Sequence, residues 1–219
     1  MDILGLFPQE GQFIIGEDKY RKTAVLLPLF CMSGEWHILF QKRSQGIRQG
    51  GEISLPGGHF EPSKDKQLTD TAVRECVEEM GINEERIQVI GQLGTLISPM
   101  GLWVQVVVGM LHITSLEEVD PNPEEVESCF ALPLAYFMNQ SPEVASVKVQ
   151  AFPYDWHNGE QQELLPIHQW QLPKMYHEPW GSYKPKVYAY PTQYGTIWGM
   201  TGEIVYECCQ WIKKQTNRT

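Results

Sequence analysis

From Arg74 to Ile82 the chain reads Arg-Glu-Cys-Val-Glu-Glu-Met-Gly-Ile, and this stretch most restricts what it can fold into. At roughly 3.6 residues, or about 100° each, per helical turn, Val73, Cys76, Val77 and Met80 form one apolar stripe. Glu75, Glu78 and Glu79 then project together on nearly the opposite side. The spacing predicts a helix that packs by one face, presents acid on the other and stops at Gly81. A solvated acidic face is the plain alternative, because like charges at these spacings cost only roughly 0.2 to 0.5 kcal/mol each. In a cleft, two carboxylates about 5.5 Å apart at an effective dielectric of about 20 would instead repel by roughly 3 kcal/mol. A buried cluster therefore needs a cation, and the hard ions Mg²⁺ and Mn²⁺ suit oxygen ligands.

Upstream, Leu55-Pro56-Gly57-Gly58 supplies a loop whose backbone can approach a phosphate or metal closely. Arg74 can orient Glu75 or neutralise phosphate charge. Together these residues resemble the Nudix box, Gly-x5-Glu-x7-Arg-Glu-U-x-Glu-Glu-x-Gly-U with U aliphatic, whose second half matches Arg74 to Ile82 without a gap. The first half departs from it. Counted from Gly58 the box glutamate falls at Lys64, and counted back from Arg74 it falls at Lys66, so that arm is two residues longer than the pattern. Glu61 or Asp65 could substitute, or the carboxylate could be missing. The resemblance implies an α/β (α+β) fold, a Nudix-like α/β/α sandwich with a mixed sheet. It also implies Glu75, Glu78 and Glu79 as ligands of Mg²⁺ or Mn²⁺, with Arg74 orienting Glu75.

A second resemblance lies in Arg43-Ser44-x-x-Ile47-Arg48 and Gly51-Glu52-Ile53-x-Leu55-Pro56-Gly57-Gly58, which is similar to the segment before the box in the coenzyme A pyrophosphatase branch. One residue is lacking between Arg48 and Gly51, along with the His of that branch. The implied reaction cuts coenzyme A or an acyl form to 3',5'-ADP and (acyl-)phosphopantetheine. Arg43, Arg48, Gly57 and Gly58 are the substrate-binding candidates. Catalytic candidates are Arg74, Glu78 and Glu125, with Glu124 as the alternative to Glu125. Two rivals share the box: hydrolysis of nucleotide sugars, dinucleotides or damaged nucleotides, and a non-catalytic Nudix-like binding or regulatory module.

The rest of the pattern is α/β. Thr23 to Cys31 and Trp36 to Lys42 read as a hairpin about Ser33-Gly34, Gln88 to Ile97 and Leu102 to Ile113 as later strands, and Glu117 to Glu125 as an acidic loop. Helices are expected to begin in Ala131 to Met138 and to run over Thr201 to Lys214. With 219 residues the expectation is a single domain over 1–219, with an irregular aromatic- and Pro-rich insertion at about 139–194. Its Trp156, Trp170, Trp180 and Tyr183 read as hydrophobic packing of an extra hairpin or an oligomer contact, or as a stacking surface for an adenine or pantetheine group.

A net charge of −10 argues against nonspecific nucleic-acid binding, which needs a basic face, while a small-molecule pyrophosphate remains suitable. Five cysteines without CxxC spacing read as core thiols in a reducing compartment. Asp2, Glu10 and Glu17 near the N-terminus argue against a secretory signal, and no apolar run reaches the roughly 20 residues of a membrane span. The expected location is cytoplasmic, without membrane or nucleic-acid partners, and a homodimer is one option for assembly.

Overall fold

A computed structural model describes residues 14–218; Asp2 and Glu10 lie outside them. Strand β1 (Arg21–Met32) turns at Ser33 and Gly34 into β2 (Glu35–Arg43), pairing Leu29 with Ile38 and Met32 with Glu35, so the expected hairpin is present. Short strands β3 (Ile53–Ser54) and β4 (Gly57–His59) precede helix α1 (Leu68–Met80). Strands β5 (Ile87–Ser98) and β6 (Leu102–Leu111) follow, then β7 (Val126–Pro133) and helix α2 (Leu134–Asn139).

The sheet is mixed, in the order β3-β2-β1-β6-β5, with β1 parallel to β6 and its other neighbours antiparallel. Along one edge of β1 the partner changes: β4 pairs with Thr23 to Val25 and β2 with Leu29 to Met32. Pro28 lies in that gap. Leu26 N–H donates to the Pro56 carbonyl on this side, so the position two residues on needs no donor. The opening leaves Gly57 and Gly58 beside α1.

Period-two burial on β1 feeds two cores. Ala24, Leu26 and Phe30 pack with Ala72, Cys76 and Met80 of α1. Leu27 and Leu29 pack on the other face with Phe137 of α2 and with Ile204, Val205 and Cys208, which belong to the C-terminal helix described below. Helices thus cover both faces of the mixed sheet, the three layers that the resemblance implied.

Two expectations need correction. Ala131 to Pro133 is strand, and α2 starts only at Leu134. Phe130 and Leu132 alternate inward opposite Phe40 and Ile38, so sheet pairing takes residues that a helical reading claims. The segment at 139–194 is not wholly irregular but carries six short strands, β8 (Glu143–Ser146), β9 (Val149–Ala151), β10 (Tyr154–His157), β11 (Glu160–Glu163), β12 (Trp180–Tyr183) and β13 (Lys186–Thr192). Asn158 and Gly159 turn β10 into β11 with φ of 51° and 83°, which fits a tight hairpin. Strand β13 joins β8 to β14 (Gly195–Trp198), and helix α3 (Gly199–Thr216) completes the described chain.

Cys76, Cys208 and Cys209 are buried thiols as expected, but Cys31 is exposed at the end of β1. No helix among the described residues is long and apolar enough to cross a membrane.

Candidate active site

The start of α1 is organised by Asp65, which is 5% exposed. Its carboxylate accepts from Arg74 Nε at 2.9 Å and Nη2 at 3.0 Å, from Thr71 Oγ1 at 2.8 Å and from Glu61 N at 3.0 Å. The Arg74 hydrogen bond first, with the Glu61 and Thr71 donors, holds this carboxyl well below the usual range despite burial. Asp65 therefore fills the acidic gap in the longer arm. Lys66 remains exposed, and its N–H caps onto Asp70 Oδ2 at 3.0 Å.

Arg74 is then a hub. Its Nη1 donates to Glu75 Oε1 at 2.8 Å and Glu78 Oε2 at 3.0 Å, and its Nη2 to the His59 carbonyl at 3.1 Å. One planar guanidinium thus ties the pre-helix loop, β4 and two glutamates into a single unit.

The glutamates do not share one exposed face. Glu79 is 2% exposed beside Ala72, Cys76 and Met80, whereas Val73 and Val77 are only half-buried. The helix is rolled toward the β1–β4 opening relative to the stripe that apolar residues alone suggest. There Gly57 N–H donates to Glu79 Oε2 at 2.9 Å, which draws a carboxylate inward that hydrophobic periodicity places outside. Burial pushes Glu79 up to about 7, against the Gly57 hydrogen bond, a Gln41 hydrogen bond and the charge of Arg43. Arg43 Nη1 stands 3.8 Å from Glu79 Oε1.

Glu75 is half-buried and also raised, chiefly by burial and then by Glu78 and Glu125, with Arg74 opposing. A Cβ on Gly58 would collide with the Glu75 carboxylate, so only glycine lets it lie against the β4 backbone. Glu78 is exposed. Glu125 is close enough to Glu75 to act on its charge, and Ser44 N donates to the Glu125 carbonyl at 2.9 Å. Glu124 and Arg48 are exposed. The structure thus brings Arg43, Gly57, Gly58, Arg74, Glu75, Glu79 and Glu125 together, with Glu78 at the rim.

Gln41 was missed by sequence reasoning. It is fully buried, donates to Ser54 Oγ at 3.3 Å, and its Oε1 has no partner among the described residues. A polar residue directly after the apolar run Ile38 to Phe40, at a strand position that continues it, was the available signal.

No three His, Cys, Asp or Glu side chains among the described residues converge as a ready coordination sphere, because the arginines engage the carboxylates. Their chemistry nevertheless fits a hard divalent cation. Glu75 and Glu79 are drawn into a partly dry opening, their charges oppose each other, and Gln41, which hydrogen-bonds Glu79, keeps an unpartnered oxygen. A groove of about 420 Å³ between Leu93 to Leu96 of β5 and Glu203 to Lys214 of α3 contains none of these carboxylates.

Residues 19–155 match the NUDIX domain. The chain belongs to the Nudix hydrolase family. Such enzymes are pyrophosphohydrolases of small molecules and generally use divalent metals; the non-catalytic reading is set aside. The uncharacterized Nudix hydrolase NudL of Photorhabdus laumondii is 30% identical over 90% of this chain and 87% of its own length. Peroxisomal coenzyme A diphosphatase NUDT7 of Mus musculus is 34% identical over 54% of this chain and 49% of its own. Mitochondrial coenzyme A diphosphatase NUDT8 of Homo sapiens is 35% identical over 53% and 50%. This Nudix chain spans about half the length of those two diphosphatases.

Among the aromatics of 139–194, Trp156, Trp170 and Tyr183 are exposed, against the expectation of packing. Trp180 is half-buried, edge-to-face with Tyr176 at 5.3 Å.

Proposed function

We propose that this Nudix hydrolase cleaves the pyrophosphate of coenzyme A or an acyl-coenzyme A, releasing 3',5'-ADP and (acyl-)phosphopantetheine. The observation that carries the reading is the 34 to 35% identity to two coenzyme A diphosphatases. It is supported by the placement of Arg43, from the segment resembling that branch, against buried Glu79.

In this reading Glu75, Glu78 and Glu79 would hold Mg²⁺ or Mn²⁺. When bound, the ion neutralises phosphate oxygens and acidifies water there. Arg74 keeps Glu75 pointed at β4, and the Gly57 N–H fixes Glu79. Glu125, beside Glu75, is positioned to take a proton from the attacking water, with Glu78 as the exposed alternative. Arg43 and Arg48 attract the anion, and the Gly57–Gly58 backbone admits it without a Cβ in the way. Water adds to phosphorus as the bridging P–O bond breaks, and the departing phosphate takes the electron pair.

The same proposal treats 1–219 as one Nudix unit with its insertion at about 139–194, acting in the cytoplasm, and leaves a homodimer open to measurement. A panel of coenzyme A, nucleotide sugars, dinucleotides and oxidised nucleotides, incubated with Mg²⁺ or Mn²⁺ and read by product mass, tests it. Coenzyme A should be cut fastest, to the two named products. Faster cleavage of a nucleotide sugar would overturn the substrate reading.

A further inference from the structure

Helix α3 separates two openings of opposite character. Toward β5 the groove of about 420 Å³ is lined by Glu203, Glu207 and Lys214, whereas toward β13 a second pocket of about 270 Å³ is lined by Lys186 and Lys213 and by no carboxylate. On a chain of net charge −10 the second is the unexpected one.

Two periodicities build it. Lys186, Tyr188 and Tyr190 alternate onto one face of β13, and Tyr206, Cys209, Gln210 and Lys213 form the facing stripe of α3. Tyr188 and Tyr206 stack across the gap, with ring centroids 4.3 Å apart and planes at 13°. Phe137 of α2 meets Tyr190 edge-to-face at 5.1 Å, and these two buried rings make the floor.

The floor holds a donor without a partner. Tyr190 is 2% exposed, and its hydroxyl makes no hydrogen bond among the described residues. The sealed side-chain polar atoms lacking a partner there are Gln41 Oε1 and Trp103 Nε1, so the Tyr190 hydroxyl is reached from the pocket. Burial raises this phenol above its ordinary range, which keeps it a donor. A hydroxyl left unsatisfied in such a place costs free energy that a ligand oxygen relieves. The lysines are free as well. Neither Lys186 nor Lys213 has an ion pair among the described residues, and Glu203 and Glu207, whose charges reach Tyr188, line the other groove.

Two cations and a buried donor suit an anion, and aromatic walls suit a planar body. The volume lies just under the roughly 300 to 1,000 Å³ of pockets for drug-sized ligands, so the occupant is small. We propose that this pocket is a second binding site, taking a small planar anion, a carboxylate or phosphate carried on an aromatic ring. Phe137 and Tyr190 belong to the core on the face of the sheet opposite α1, so the site is separate from the carboxylates. It does not depend on the coenzyme A reading.

Calorimetry on the full chain with benzoate and phenyl phosphate tests it, with benzamide as the neutral control and inorganic phosphate as the ringless one. At least one aromatic anion should bind about tenfold more tightly than both controls, and the tighter of the two names the head group. Tyr190→Phe keeps the ring and removes only the hydroxyl. It should weaken that anion by about tenfold, the scale of one hydrogen bond to a charged group, with ligand-free melting unchanged or raised. The double variant Lys186→Ala with Lys213→Ala should weaken it by a similar factor, and Glu79→Gln should leave it unchanged. Absence of binding by both aromatic anions, benzamide bound as tightly as benzoate, or affinity retained in either pocket variant would overturn the site. Loss of binding in Glu79→Gln would do the same, because it would place the anion on the α1 side of the sheet.

Discussion

The two ends of α1 each hold a buried carboxylate, and the protein treats them oppositely. Asp65, before the helix, is met by four donors and held charged; Glu79, at its end, is met by the Gly57 N–H, by Gln41 and by Arg43 at 3.8 Å, and burial still pushes it up to about 7. A saturated carboxylate fixes structure, because nothing is left for it to bind. An undersatisfied one stores electrostatic cost that a cation can relieve, as function often demands.

The largest expected effect falls on turnover. Glu79→Gln and Glu78→Gln should each reduce kcat by about 10²- to 10³-fold, the scale of losing one charge-stabilising group in an active site. Metal-free melting should stay level for Glu78→Gln and rise for Glu79→Gln. Near-parental turnover in both would end the distinction between the two ends of the helix.

Asp65→Asn should act on folding instead. Removing one partner of a buried pair leaves Arg74 uncompensated, and stability should fall by about 3 to 5 kcal/mol in denaturant melts. Loss of turnover should follow indirectly, since Arg74 also orients Glu75. A variant as stable as the parent, yet inactive, would make Asp65 a participant in the chemistry.

The pH dependence of the metal-free protein sharpens the contrast. Asp65 is depressed, so its contribution is present above its unfolded value near 3.8 and is lost as pH falls through the lower folded value. Glu79 is raised, so its contribution is fully present below 4.5 and is lost as pH rises through about 7. Melting in chelator should therefore weaken across that neutral window by on the order of 2 to 3 kcal/mol, and Glu79→Gln should flatten the decline. Saturating Mn²⁺ should restore stability most at the upper end, by roughly RT ln(1+[L]/Kd). Equal pH profiles for parent and Glu79→Gln would show that burial does not govern this group.

How much of this was legible follows the same division. Local patterns gave the helix with its three glutamates, the glycine loop, the first hairpin and strands β5 and β6, because each is set by near neighbours in sequence. Asp65 was readable only as one of two substitutes, since choosing it requires knowing that the arm folds back onto Arg74 and Thr71. Glu79 was placed on the wrong side of the helix, because one hydrogen bond from Gly57, 22 residues away, outweighs periodicity. Strand β7 was hidden for a similar reason: its alternation makes sense only opposite β2. An extra hairpin in the late segment was readable, with Asn158-Gly159 as its local turn signal, whereas the pairing of β9 with β12 and of β8 with β13 was not, because each partner lies far away in sequence.

The smallest effect is expected in that late segment, where apolar side chains are spent on the surface. Trp156 is 62% exposed on the β10–β11 hairpin, whose two strands pair only with each other among the described residues. An exposed side chain away from caps, cores and charge networks typically shifts stability by no more than about 0.5 kcal/mol. Trp156→Ser should stay within that bound in dilute protein and leave kcat intact. Its KM and its sedimentation behaviour then decide what the aromatic is for. A stacking platform for adenine or pantetheine should raise KM by roughly tenfold or more, since one base on one ring is worth about 1 to 3 kcal/mol. An oligomer contact should instead shift the assembly at unchanged KM. We expect KM within twofold, because the hairpin is organised by its own turn and ladder, with none of the convergence of donors that marks the helix α1 site. A tenfold rise would extend the active site into the segment and erase the contrast between the two halves of the molecule.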